Sequence, residues 1–190
     1  MLAGRWRQIG GSWGGFLGRV TLVLGAAVWL SACATTPPPV APCKEPPPIA
    51  VLLEASERLN PDDRGNSLST IVQVLQLKDI RRLEASEFQD VWQRSKEVLE
   101  DDLIASDELT LQPGQTLTRQ LARDPKATYV VVLGVFRRPA GQVWRSVLRL
   151  QEVTPELCAA AKKPGAQPPP LHFYLEDYRV EARGRAEGRG

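Results

Sequence analysis

Thr128-Tyr129-Val130-Val131-Val132-Leu133-Gly134-Val135-Phe136 decides the fold class. Nine residues rich in β-branched and aromatic side chains, almost without a polar break, read as a strand covered on both faces. Pro139-Ala140-Gly141 follows as a turn and leads into a second strand over Val143–Glu152. Working outward, Ile49–Glu57 is apolar-led, and Thr70–Leu77 is rich in β-branched residues. Leu109 and Leu111 alternate with polar neighbours before the turn former Pro113-Gly114, and Gln115–Leu121 alternates after it. Leu171–Val180 reads as the last strand, after the Pro/Gly-rich stretch Lys163–Pro170. About seven short strands separated by turns predict a mainly β chain built as a two-sheet β-sandwich.

One amphipathic α-helix interrupts this pattern. Phe88, Val91, Trp92, Ser95, Val98, Leu99 and Leu103 fall on one helical face, with Glu87, Asp90, Gln93, Arg94, Glu97, Glu100 and Asp101 on the other. Ser86 and Gln89 have capping-box spacing. The helix is expected over about 87–104, packed as a lid on a sheet or a sheet edge.

The composition bounds the rest. The 190 residues are 43% hydrophobic and 24% charged, which suits one ordinary domain and excludes a chain disordered throughout. A net charge of +2, from 24 basic and 22 acidic residues, excludes a strongly basic nucleic-acid binder. One His and three Cys leave little material for metal binding or His-based catalysis.

The N-terminus is an address. Arg5, Arg7 and Arg19 precede the apolar run Val20–Leu30, too short for a membrane span of about 20 residues and suited to a signal-peptide core. Leu30-Ser31-Ala32-Cys33 resembles the bacterial lipobox. That resemblance implies cleavage after Ala32, lipidation of the Cys33 thiol and acylation of the new amine. Several acyl chains together hold a protein on a bilayer far better than one, at about 0.8 kcal/mol per buried CH₂. Ala34 stands where an aspartate would signal inner-membrane retention, which points to the outer membrane, facing the periplasm.

The expected organisation is a signal peptide over 1–32, a lipidated Cys and Pro-rich tether over 33–48, a sandwich over 49–181 and a flexible tail over 182–190. Removing the signal leaves 21 basic against 22 acidic residues, a net charge of −1. Pro37-Pro38-Pro39, Pro42 and Pro46-Pro47-Pro48 predict an extended, semi-rigid spacer.

Between the first two strands lies Leu59-Asn60-Pro61-Asp62-Asp63-Arg64-Gly65-Asn66-Ser67-Leu68-Ser69, long for a hairpin connection of about two to five residues. Asn60-Pro61 and Arg64-Gly65-Asn66 are turn formers. Physics alone leaves two readings open, a recognition surface at a sandwich end and a plain solvated turn.

The order of lipobox, first strand, this loop, Val72-Gln73-Val74-Leu75-Gln76-Leu77-Lys78-Asp79, Phe88 opening the helix, Leu111-Gln112-Pro113-Gly114, Tyr129–Phe136-Arg137 and Trp144-Arg145 resembles the TssJ (SciN-like) family of outer-membrane lipoproteins of type VI secretion systems. The resemblance implies a transthyretin-like sandwich with an added helix. It implies a structural role in an envelope-spanning membrane complex. The implied partner is the periplasmic C-terminal domain of TssM, an inner-membrane protein that also binds TssL. Carried over by position, the partner-binding loop is Asn60, Pro61, Asp62, Asp63, Arg64, Gly65, Asn66 and Ser67.

A catalytic reading lacks parts. His172 sits in a strand, and none of the lipase-type serine, zinc-protease, phosphate-loop or dinucleotide motifs is present. Asp62-Asp63, Asp101-Asp102 and Asp107-Glu108 read as solvated carboxylates rather than a metal site. The expectation is a non-enzyme with no catalytic residue, no metal, no cofactor beyond the lipid on Cys33, no small-molecule substrate and no nucleic-acid partner. With Cys33 lipidated, Cys43 and Cys158 remain as a possible disulfide, worth about 4–5 kcal/mol in the chain-entropy model, or as two free thiols. Trp144-Arg145 and Phe136-Arg137, either side of one hairpin, read as an aromatic–arginine surface patch for a partner or as a core Trp with cross-strand arginine stacking; Trp144 reads as core, and the role of the arginines stays open. Two rivals stand beside the secretion reading, a small-ligand carrier on a sandwich scaffold and an envelope assembly factor unrelated to secretion.

Overall fold

The computed structural model describes residues 43–185. Leu30, Ser31, Ala32 and Cys33, most of the expected tether and residues 186–190 of the expected tail lie outside the described residues. In chain order the elements are β1 (Ile49–Leu59), β2 (Thr70–Leu77), α1 (Arg81–Glu84), α2 (Phe88–Leu99), β3 (Leu103–Leu111), β4 (Thr116–Leu121), β5 (Tyr129–Val135), β6 (Arg145–Arg149), α3 (Pro155–Ala161), β7 (Leu171–Asp177) and β8 (Arg179–Arg185).

Among the described residues the strands form two four-stranded sheets, ordered β4-β1-β7-β8 and β3-β2-β5-β6. All neighbours are antiparallel except β1 and β7. The expected two-sheet, mainly β architecture is the observed one.

Side-chain alternation explains the layers. Along β1, Val51, Leu53 and Ala55 are buried while Leu52, Glu54 and Ser56 are half-buried, so one face of that sheet meets the other sheet and the opposite face meets solvent. β5 behaves differently, since Val130, Val131, Val132 and Leu133 are all wholly buried. Successive strand residues point to opposite faces, so both faces of β5 are covered. One cover is the facing sheet, and Leu83 of α1 and Val91 and Leu99 of α2 belong to the same buried core.

Gly134 shows how tightly β5 turns into the next connection. A Cβ built there would lie 2.4 Å and 2.6 Å from ring atoms of Phe136, which is itself buried. Gly134→Ala must therefore displace a core ring, and about 1–3 kcal/mol of destabilisation is expected in urea unfolding. A loss below about 0.5 kcal/mol, the scale of a neutral surface substitution, would show that the ring has room to move.

The helix is shorter than the sequence pattern suggests. It ends at Leu99, Glu100 takes φ +47, a 3₁₀ turn covers Glu100–Asp102, and Leu103 opens β3. Leu103 pairs with Leu77, and Asp107 and Glu108 lie in the β2–β3 ladder rather than near a helix end. The expected capping box does not form. Glu87 holds the N-cap position without a side-chain cap, and Ser86 Oγ donates to the Arg82 carbonyl at 2.6 Å. Arg94 has non-helical angles (φ −134°, ψ 37°), which kink the helix.

The C-terminal region is also corrected. Leu171–Val180 is not one strand, because Asp177 takes φ +49 and the chain reverses at Tyr178. The sandwich does not stop at 181, and 182–185 are not tail. β8 continues to Arg185, paired with β7 through a register shift between His172 and Phe173, and the Arg183 guanidinium lies 3.7 Å over the Tyr174 ring. Backbone pairing and that stack order a stretch too poor in apolar residues to be read as a strand.

α3 was not expected. Its start is nonetheless written locally, since the Thr154 hydroxyl accepts from Leu157 N at 3.2 Å and Pro155 occupies the first turn. α3 carries Cys158, which is disulfide-bonded to Cys43 with Cα atoms 5.9 Å apart. Among the described residues no helix is long and apolar enough to cross a membrane.

Candidate functional site

Four connections meet at the end of the sandwich where β1 finishes: the β1–β2 loop (60–69), the β3–β4 turn (112–115), the β5–β6 connection (136–144) and the β7–β8 turn at Tyr178. The opposite end holds the disulfide and the long β6–β7 connection.

Asn60 locks this end together. It takes φ +46, a conformation that asparagine tolerates better than most residues, and it is only 4% exposed. Its backbone N–H donates to the Asp177 carbonyl at 2.7 Å. Its side-chain Nδ2 donates to the Ser69 carbonyl at 3.4 Å, and its Oδ1 accepts from Arg137 N at 2.9 Å. One buried side chain thus ties the loop's two ends to the β5–β6 connection. Asn60 is placed to shape the surface rather than to touch a partner.

Asp62 organises the loop tip. Its Oδ1 accepts from Arg64 N and Asn66 N, each at 2.8 Å, and its Oδ2 accepts from Asn66 Nδ2 at 3.0 Å. The Asn66 side chain and backbone N–H hold its carboxyl below the usual carboxylate range. Gly65 takes φ +84 at the tip, over open space. Tyr178 OH donates to the Pro61 carbonyl at 2.6 Å, and Ser67 Oγ donates to the Glu57 carbonyl at 2.5 Å.

The outward-facing groups are therefore fewer than the whole loop. Asp63, Arg64, Gly65 and Asn66 are exposed, and Leu68 is 37% exposed beside them. Asp63 forms an ion pair with Arg138 and lies 3.9 Å from the Arg137 guanidinium. Arg137 and Arg138 bring a cationic strip from the β5–β6 connection against the loop. Beyond Arg137 a shallow groove runs between Pro139 and Phe136 on one side and Phe88, Trp92 and Asp90 of α2 on the other. Surface ion pairs of this kind add little stability, so the strip's charges stay accessible to a partner.

The sequence singles out the loop and leaves Arg137 open as a partner contact, but it does not reach Arg138 or Tyr178. Arg137-Arg138 directly after the strongest strand was the available signal, since loop arginines at a strand end sit on a sandwich pole. Tyr178 lay hidden in what reads as a continuous strand.

The other candidates lie elsewhere. His172 is half-buried on the outer face of β7 with Nε2 within hydrogen-bond distance of Glu54 Oε2 at 2.7 Å, and Glu54 also pairs with Arg183 at 3.6 Å. Trp144 is core, as expected. Among the described residues no three His, Cys, Asp or Glu side chains gather to hold a metal ion.

The comparisons with known proteins fall on this same body. The family model described as "Type VI secretion lipoprotein, VasD, EvfM, TssJ, VC_A0113" matches residues 47–167. No curated protein matches the chain by sequence. The T6SS lipoprotein TssJ1 from Pseudomonas aeruginosa is 19% identical with a TM-score of 0.60, over 75% of this chain and 98% of that one. A chain of the structure "Type VI membrane complex" is 24% identical with a TM-score of 0.60, over 73% of this chain and 98% of that one. A chain of the structure "T6SS protein TssM C-terminal domain (869-1107) from EAEC" is 23% identical with a TM-score of 0.57, over 71% and 96% respectively. At these identities the structural likeness is one of fold. The family match spans well over half of the chain and takes in the loop, the arginine strip and strands β1 to β6, so the chain belongs to the type VI secretion lipoprotein family.

Proposed function

We propose that this chain is the outer-membrane lipoprotein of a type VI secretion membrane complex, anchored by lipid on Cys33 and facing the periplasm. Its loop pole docks the periplasmic domain of a TssM-like inner-membrane protein, and through it the chain is coupled to TssL. The role is structural rather than catalytic. The observation that carries this reading is the pre-built loop 60–69, which Asn60 and Asp62 hold in one shape beside Arg137 and Arg138. A surface ordered before binding loses less entropy on docking, so modest contacts suffice. Anchoring in the bilayer raises local concentration further. A similar chain occurs in a structure named for the TssM C-terminal domain, which supports the choice of partner.

The test is a pull-down of unlipidated 33–190 with a TssM-like periplasmic fragment. Deleting 62–66 removes every exposed residue of the tip. Loss of a single hot-spot residue costs about 2 kcal/mol, so affinity should fall about 30-fold or more. The circular dichroism should not change. Full-strength binding by the deletion would place docking elsewhere on the molecule. Anchoring is tested separately in cells. Cys33→Ser should release the protein from the membrane fraction, and continued sedimentation with the outer membrane would remove the anchor from the account.

A further inference from the structure

The β6–β7 connection has no part in the docking surface, yet it runs from 150 to 170, carries α3 and holds Cys158. Its neighbours explain what it grips. Cys158 is bonded to Cys43, and Pro47 and Pro48 share one apolar recess with Leu157, Pro168, Pro169 and Leu171. Residues 43–48 are thus held at both ends, by the disulfide and by the start of β1, with prolines packed between. The Pro/Gly-rich stretch 163–170 supplies two of the packing residues.

We propose that this connection is a clasp that sets the length of the membrane leash. The inference rests on the reading of Cys33 as the lipidated residue. With the clasp closed, the leash is the nine residues 34–42. The ten residue steps from Cys33 to Cys43 span at most about 35 Å. With the clasp open, the leash runs to Ile49, and sixteen steps span at most about 56 Å. β1 starts beside the clasp and ends at the docking loop, and its 11 residues measure about 36 Å. The clasp therefore sits at the membrane-proximal pole and the loop at the distal one. Closing it draws in by about 20 Å the greatest height at which the loop can stand above the bilayer. A lipoprotein that must meet a partner spanning from the opposite membrane works within a fixed gap. A shorter leash confines its docking loop to a thinner layer and so raises the loop's local concentration there.

The test uses the full lipidated chain on supported bilayers, with the outer boundary of the protein layer read by neutron reflectometry. Cys43→Ser/Cys158→Ser should push that boundary outward by about 10–20 Å. Deleting the six residues 34–39 in the same background should bring it back, which a purely stabilising disulfide does not predict. A wild-type chain with six residues inserted between 34 and 42 should move outward as far as the double variant. This holds the proposal to account even if the double variant fails to fold. A boundary that stays put in a folded double variant, or in the insertion variant, overturns the clasp. If Cys33→Ser remains on the bilayer, the anchor reading fails and the leash with it. If Cys33→Ser is lost but the boundaries do not move, the anchor stands and only the clasp falls.

Discussion

Trp144→Ala is expected to destabilise the protein by about 3–5 kcal/mol, the range for emptying a large aromatic site in a core. Trp144 is 1% exposed and lies just before β6. It is the hub where the helical layer meets the sheet. The Phe88 ring of α2 meets it edge-on, with centroids 5.4 Å apart and planes at 68°. Phe88 in turn stacks on Trp92 at 5.8 Å. The Arg145 guanidinium lies 5.0 Å from the Trp144 centroid and donates to the Leu83 carbonyl of α1 at 3.2 Å. Truncation would remove the aromatic contact, uncover that guanidinium and leave a cavity that a strand-held backbone cannot close, since Trp144 O accepts from Gly134 N at 2.9 Å. With a urea m-value near 2 kcal/mol/M, the midpoint should fall by about 1.5–2.5 M. Trp144→Phe keeps the edge-on contact and should lose less than half as much. A loss below about 1 kcal/mol for Trp144→Ala would mean that the indole is not a core residue.

The same region shows what the sequence makes legible. Both ends of β2 are legible because Thr70–Leu77 has strand composition and sits between a Ser-rich loop and Lys78-Asp79. The double cover of β5 was readable because four consecutive apolar residues cannot all face one side. Where periodicity is ambiguous the reading slips. Leu103 fits a helix face and also opens β3, and only pairing with β2 decides between them. α3 was missed although Thr154-Pro155-Glu156 is a local start signal, because its Pro/Gly-rich surroundings read as loop. The candidate loop was legible as a segment. Which of its residues face inward is not, because two of the three partners of Asn60, Asp177 and Arg137, lie more than 70 positions away in the chain. No local rule contains them.

Asn60→Ala should therefore be the most damaging single change in the proposed docking loop, at about 2–5 kcal/mol. Two costs combine. Alanine at φ +46 brings a left-handed backbone penalty of about 1–2 kcal/mol. Losing Oδ1 leaves the part-buried Arg137 N–H without its acceptor, a further cost of about 1–3 kcal/mol. Asn60→Gly separates the two, since glycine accepts the backbone conformation and loses only the side-chain bonds. It should be milder than alanine by about 1 kcal/mol. Asn60→Asp keeps an acceptor for Arg137 N but turns a carboxylate oxygen toward the Ser69 carbonyl, so it should not rescue stability. Partner binding should fall in all three, because this side chain fixes loop 60–69 against the arginine strip while itself remaining out of reach of a partner. Urea unfolding and the TssM-fragment pull-down together check the point. Equal stabilities for the alanine and glycine variants would show that the positive φ is not held in the native state. Undiminished binding by Asn60→Ala would show that the loop and the strip do not act as one surface.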